Sequence, residues 1–279
     1  MQMSIILGID VGGSTTKIIG KASDSNSGSK TDGIIGMLQV RAADQITSMY
    51  GAIGNFLSKH GLHPKDISKV YLTGVGASFI NEQVYGIETQ KVSEFKAIGQ
   101  GALSLTGLDE ALVVSMGTGT AFVRAEKNNT THLGGSGVGG GTIIGLGSQL
   151  LGKSDVDAII ALAESGDLKN IDLSVSDILG AEVKSLPADL TAANFGKIKS
   201  TASQSDIALG LLNMIYETAG MLAIFALKND TTKNIIITGT LATFPQAKPV
   251  FKKFSNLTPH TFIIPDNAVF ATALGAVMD

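Results

Sequence analysis

Apolar positions along the chain recur with periods of two and of three to four, and their alternation predicts an α/β protein. Residues 6–10 form an apolar run that ends on Asp10, breaks at small residues, and resumes as Lys17-Ile18-Ile19. This predicts a β-hairpin with a carboxylate at its tip. A polar stretch over 23–32 reads as a loop, and 33–40 as a third strand. Ile46, Met49, Ile53, Phe56 and Leu57 fall at helical spacing and predict an amphipathic helix over 44–59. A strand over 69–73, a helix over 77–85, a short strand over 89–92 and a helix from Glu94 to about Thr106 follow. A lobe boundary is expected near Gly107, dividing the chain into 1–107 and 108–279.

The second part repeats the plan. Residues 111–123 are apolar strand, Gly117-Thr118-Gly119-Thr120 turn, and apolar strand again, followed by a tight polar turn at Lys127-Asn128-Asn129-Thr130. A glycine-rich run over 134–141 leads into a helix over 142–151. Ser154 with Asp157 reads as the N-cap of a helix over 156–163, closed by Gly166. Residues 169–205 lack periodicity, whereas 207–227 predicts a long apolar helix against the sheet. Another strand runs into Gly239-Thr240. A helix, a strand over 260–264 and a last helix over 268–278 complete the echo.

Composition narrows the field. At 279 residues and 44% hydrophobic, the chain is long enough for two compact lobes with buried cores. A net charge of −3 argues against nucleic acid or an anionic membrane as main partner. No run is expected to reach the ~20 residues of a membrane span. The chain enters a strand almost at once, so no secretory leader is expected and cytoplasm is the expected location. Zero cysteines exclude disulfides, thiolate metal sites and iron–sulfur clusters.

The first turn carries the chemistry of a nucleotide-phosphate site. Gly12 and Gly13 let the backbone approach a ligand, while Ser14, Thr15 and Thr16 add hydroxyls. Lys17 supplies a point charge for an anion, and Asp10 suits the Mg²⁺ that accompanies it. An ordinary hairpin turn is the alternative. Gly137, Gly139, Gly140 and Gly141 before a helix would offer amides at the positive end of its dipole; a hinge or close packing is the alternative there. Two matches are refused. Gly147 to Ser154 fits a P-loop letter for letter but lies at a helix end with no preceding strand, and Gly135-x-Gly137-x-x-Gly140 lacks a βαβ setting.

Two hairpin tips followed by a strand–Gly–Thr element resemble the layout of the actin-like ATPase superfamily. That resemblance implies a ribonuclease H-like fold of two lobes, with mixed sheets and flanking helices, clamping ATP. It implies Asp10, Gly12, Gly13, Ser14, Thr15 and Lys17 as first phosphate loop, Gly117, Thr118, Gly119 and Thr120 as second, and Gly239 with Thr240 as adenosine element. The run 134–147, Glu94 within Val92-Ser93-Glu94-Phe95, and Asp189 to Gly196 resemble type II pantothenate kinase over nearly the whole chain. The resemblance implies ATP-dependent phosphorylation of pantothenate, the first step toward coenzyme A, by a homodimer, with Glu94 as catalytic base. On its own terms Glu94, between a strand end and a helix start, suits a base for the acceptor hydroxyl. The alternative is a residue that merely favours the helix N-terminus.

One position departs from the family. Members usually carry an arginine just ahead of the glycine-rich run, where it helps bind substrate and transferring phosphate; here His132 stands in its place. Histidine lacks arginine's permanent charge and fork of donors. The only arginines are Arg41 and Arg124, and Arg124, across the expected hairpin from His132, is a candidate substitute. Another small-molecule kinase, such as one acting on a sugar, and a catalytically impaired nucleotide-binding regulator are the competing readings. A dehydratase-activator ATPase is disfavoured, because its bridging cluster needs cysteines.

Overall fold

The computed structural model describes residues 4–23, 33–42, 44–179 and 190–278. Strands β1 (Ile5–Val11), β2 (Thr15–Ala22) and β3 (Ile34–Arg41) form a meander, followed by α1 (Gln45–His60), β4 (Ile67–Thr73), β5 (Thr89–Lys91) and α2 (Glu94–Thr106). The second half opens with β6 (Glu110–Met116), β7 (Thr120–Glu126) and β8 (Asn129–Ser136), then α3 (Gly140–Leu151) and α4 (Val156–Ala163). A small β9 (Leu173–Ser174), α5 (Val175–Leu179) and β10 (Thr191–Ala193) lead to α6 (Gln204–Ala226). The chain ends with β11 (Asn234–Thr238), α7 (Ala247–Leu257), β12 (Thr261–Ile263) and α8 (Ala271–Ala276).

Two five-stranded sheets result, ordered β3-β2-β1-β4-β5 and β8-β7-β6-β11-β12. The central strands, β1 and β6, each pair antiparallel with the next strand of a hairpin and parallel with a later strand. Both are apolar almost throughout because helices cover both faces of their sheets; every residue of β1 but Ile6 is buried. Asp44 starts α1 by accepting a hydrogen bond from the Thr47 amide at 2.7 Å, and Gly61 ends it at φ +64°, a conformation that favours glycine.

The last helix of each half packs on the other half's sheet. Ile98, Ala102 and Leu103 of α2 pack with Ala111, Val113, Val123 and Ile236, whereas Ala273 and Leu274 of α8 pack with Ile19. Helices α2 and α8 cross each other at glycines. A Cβ on Gly101 would overlap the Ala271 carbonyl oxygen, and one on Gly275 the Ala97 carbonyl oxygen.

Several local expectations give way. Residues 77–85 are no α-helix: 3-10 turns occupy Val75–Phe79 and Val84–Gly86, with Tyr85 at φ +53°, and Gly76 presses against Val11 too closely for a helix side chain. The cap of α4 is Asp155 rather than Ser154, accepting from the Ala158 amide at 3.0 Å. The last helix is shorter, beginning as a 3-10 turn at Ala268–Phe270. Apart from Ser23, the loop expected over 23–32 lies outside the described residues. Helix α6 is, against expectation, long and apolar enough to cross a membrane by length and composition. Yet Leu211, Leu212, Ile215 and Tyr216 bury one side of it in the core, as a core helix requires.

Gly275→Ala is expected to force α2 and α8 apart at a cost of about 1–3 kcal/mol or more, since backbone cannot yield as a side chain does. A lower denaturant midpoint at unchanged slope would register it.

Candidate active site

Both hairpin tips open on one cavity of about 1010 Å³ between the sheets. From the first turn Asp10, Gly12, Gly13, Ser14, Thr15 and Lys17 line it; from the second, Gly117, Thr118, Gly119 and Thr120. Of the other expected residues, Glu94, His132, Gly137, Gly140, Gly239 and Thr240 also line it. Asp10 and Lys17 are cross-strand partners, and Lys17 Nζ donates to Asp10 Oδ2 at 3.2 Å with both side chains about nine-tenths buried. The amides of Gly13, Ser14 and Thr118 have no protein acceptor among the described residues, so donors and one ammonium face the cavity together. The turns meet where Ser14 Oγ and Thr118 Oγ1 lie 3.1 Å apart.

The strands beside β1 and β6 end alike. Gly74 follows β4 at φ +87° and Gly239 follows β11 at φ +88°, each opening a 3-10 turn. At both, a Cβ would run into the neighbouring hairpin strand. Tyr216 of α6 supports the second of these turns: its hydroxyl donates to the Leu241 carbonyl at 2.9 Å, and burial pushes its pKa well up.

Glu94 is the first residue of α2 and half-buried. Burial chiefly, and the charge of Asp10 next, push its pKa up, while Lys17 pulls it down. The carboxyl is thus within electrostatic reach of the first turn. Phe95, one residue on, stacks on His132 with ring centroids 3.8 Å apart and planes 11° from parallel. His132 is therefore fixed against the wall of the cavity rather than free on a strand.

Parts of the expected site move elsewhere. Gly139 and Gly141 do not line the cavity. The Gly139 amide donates to Thr142 Oγ1 at 3.1 Å, and those of Gly140 and Gly141 donate to the Gly117 and Thr118 carbonyls at 2.8 and 2.9 Å. A Cβ at Gly139 would come 2.7 Å from the Thr118 carbonyl oxygen, so these glycines seat α3 against the second turn. Thr120 lines the cavity, but its hydroxyl is bonded to the Val138 carbonyl at 2.8 Å. Thr16 is fully buried with no partner for its hydroxyl. Arg124 does not replace the missing arginine: it is held by Glu110 at 2.6 Å and Asp230 at 2.9 Å, outside the cavity lining. Asp189 lies outside the described residues. The rest of its motif braces α6, with Thr191 and Asn194 donating to Glu217 at 2.8 and 2.9 Å.

Sequence reasoning missed Arg41, Phe95, Asp155 and Asp157 as cavity residues. Arg41 sits opposite Thr15 across the β2–β3 pair, a placement the hairpin pattern implied had the register been counted. Phe95 carried no signal beyond its adjacency to Glu94.

Two matched sheets that close on a phosphate-suited cavity define an actin-like ATPase fold. Solved structures agree on the fold: the activator of 2-hydroxyisocaproyl-CoA dehydratase from Clostridium difficile with bound ADPNP matches 98% of this chain and 92% of its own at TM-score 0.67 and 15% identity. A ROK family protein from Streptococcus pneumoniae in complex with sucrose matches 98% and 96% at TM-score 0.57 and 12% identity. The Fumble family model matches residues 110–248. A type II pantothenate kinase from Oceanobacillus iheyensis is 32% identical over 217 residues, 75% of this chain and 80% of that protein. One from Staphylococcus haemolyticus is 26% identical over 281 residues, 97% and 98% of the two chains. The chain belongs to the type II pantothenate kinase family.

Lys17→Met would leave the Asp10 charge buried and alone, at an expected cost of about 3–5 kcal/mol in denaturant unfolding. Glu94→Gln acts oppositely. A carboxyl whose folded pKa is raised destabilises the fold once ionised, and the penalty is relieved as pH falls through that pKa. The variant should melt above wild type at pH 7.5, with the difference closing by about pH 4.

Proposed function

We propose that the chain is an ATP-dependent pantothenate kinase that makes 4′-phosphopantothenate, with Glu94 as the general base. The observation that carries this reading is Glu94 itself: a half-buried carboxyl at a helix start, with its pKa raised by burial and by Asp10 beside the phosphate turns. A base needs a proton affinity near working pH, and the helix dipole alone would push the other way.

Phosphoryl transfer asks mainly for positioning and charge neutralisation. The free amides of Gly13, Ser14 and Thr118, with Lys17, hold the phosphates of ATP between the two lobes, 1–107 and 108–279, and Gly239-Thr240 receives the adenosine end. Asp10 is the carboxylate suited to Mg²⁺. Asp10 lines the cavity beside the phosphate turns, where one carboxylate with water and phosphate could hold the ion. Bound there, Mg²⁺ would neutralise phosphate charge. Glu94 accepts the proton of the pantothenate hydroxyl and orients its oxygen for in-line attack. His132, fixed by Phe95, offers a ring N–H toward substrate or transferring phosphate. A cytoplasmic homodimer belongs to the same reading.

Coupled ADP release with pantothenate tests it. Glu94→Gln should lower kcat by about 10²–10⁴, and the wild-type acid limb of kcat/KM should lie above the ordinary carboxylate range, since the raised pKa must be passed before the base is ionised. His132→Ala should cost about 10² in kcat. Pantothenate left unphosphorylated beside a phosphorylated sugar would overturn the substrate; full turnover by Glu94→Gln would overturn the base.

A further inference from the structure

The two halves are also joined by charge. Arg41, the last residue of β3, reaches the start of α4 with both arms of its guanidinium: Nη1 donates to Asp155 Oδ2 at 3.0 Å and Nη2 to Asp157 Oδ2 at 2.6 Å. All three residues line the central cavity. Arg41 is the cross-strand partner of Thr15, and the next amide, Ala42, donates to the Ser14 carbonyl at 2.9 Å. The guanidinium is thus carried by the strand end that backs the first phosphate turn. At the other end Asp155 is fixed, because its second oxygen caps α4. The adjoining contact between the turns, Ser14 to Thr118 at 3.1 Å, is narrower than a phosphate group. Parting of the halves would break this contact and the Arg41 pairs together, and widen the cavity that all of these residues line.

We propose that Arg41, Asp155 and Asp157 form an electrostatic latch that holds the two phosphate turns together and sets how fast nucleotide enters and leaves. Arg41 is a positioning residue: it acts through the spacing of the turns and not on the reacting atoms. Its side chain is 70% exposed, and those of Asp155 and Asp157 are 47% and 75% exposed. Pairs so exposed shift an equilibrium by only about two- to fivefold each, and salt weakens them further. Such a latch opens at every turnover. The fork geometry needs arginine, since an ammonium cannot bridge two carboxylates in the same way.

The proposal rests on the reading that nucleotide occupies the central cavity, so one measurement is made without ligand. The chain has no cysteine, so Lys65→Cys and Asn256→Cys, both at exposed positions, take one spin label on each half. Arg41→Ala, and Asp155→Asn with Asp157→Asn (asparagine still caps α4), should lengthen and broaden the inter-label distances. High salt should do the same to wild type and little more to Arg41→Ala. Release of a fluorescent ATP analogue in stopped flow should speed up about three- to twentyfold in both variants, with KM for ATP raised more than kcat is changed. Arg41→Lys should recover only part of the slow release, and Arg41→Asp combined with Asp157→Arg most of it. An unchanged distance distribution in Arg41→Ala, or release that keeps wild-type speed and salt dependence, overturns the latch. A wild type that binds no nucleotide defeats the reading of the cavity instead, and the distances still decide the latch.

Discussion

Two glycines set how closely α2 and α8 approach, and the geometry of the cleft hangs from that approach. Backbone meets backbone at Gly101 against Ala271 and at Gly275 against Ala97, a spacing no side chain would permit. Glu94 stands at the head of α2, while α8 lies on β1 with Gly8 against Ala273, two residues before Asp10. The crossing therefore fixes the separation between the carboxyl proposed as base and the turn proposed to hold phosphate. Because each helix covers the opposite half's sheet, the two sheets meet through packed cores at the crossing and not only through a linker.

The charged residues in the cavity are held under tension. Asp10 and Lys17 neutralise each other in a site that excludes most water, and such a pair stays favourable only while both partners remain. Among the described residues Glu94 makes no ion pair, and Lys17 only partly offsets its charge. It carries the desolvation cost and the repulsion of Asp10 together, which raises its proton affinity, as the proposed base requires, and makes its ionised form a local liability to the fold. The Phe95–His132 stack restricts the His132 ring, which would serve its proposed role by removing ring freedom in advance.

The strands and long helices were legible in the sequence because their cores impose a period on it. The two hairpins, α1, α2 and α6 follow directly from apolar spacing, and the Gly-Thr turns from the residues that only such turns favour. What escaped depends on contacts that pattern does not encode. The amides of Gly139 to Gly141 look free in sequence but are bonded within the protein, because the second turn happens to lie against them. Arg124 looked available until Glu110 at the start of β6 and Asp230 in the connection after α6 met it. The pairing of Arg41 with Asp155 and Asp157 joins residues more than a hundred positions apart, which apolar spacing does not reveal. Residues 77–85 look helical in sequence, yet Gly76 just before them lies against Val11 with no room for a Cβ, and Tyr85 takes φ +53°.

The common register of the two sheets allows their turns to be compared position by position. Asp10 lies between Lys17 and Thr73; the matching place on β6 is Ser115, between Ala121 and Thr238. Where one half has a carboxylate beside an ammonium, the other has a hydroxyl beside a methyl. The framework is nearly symmetric, but its electrostatics have a direction. A ligand with one highly charged end can satisfy that polarity in a single orientation, so the pseudo-twofold arrangement of the backbone does not permit it to bind reversed.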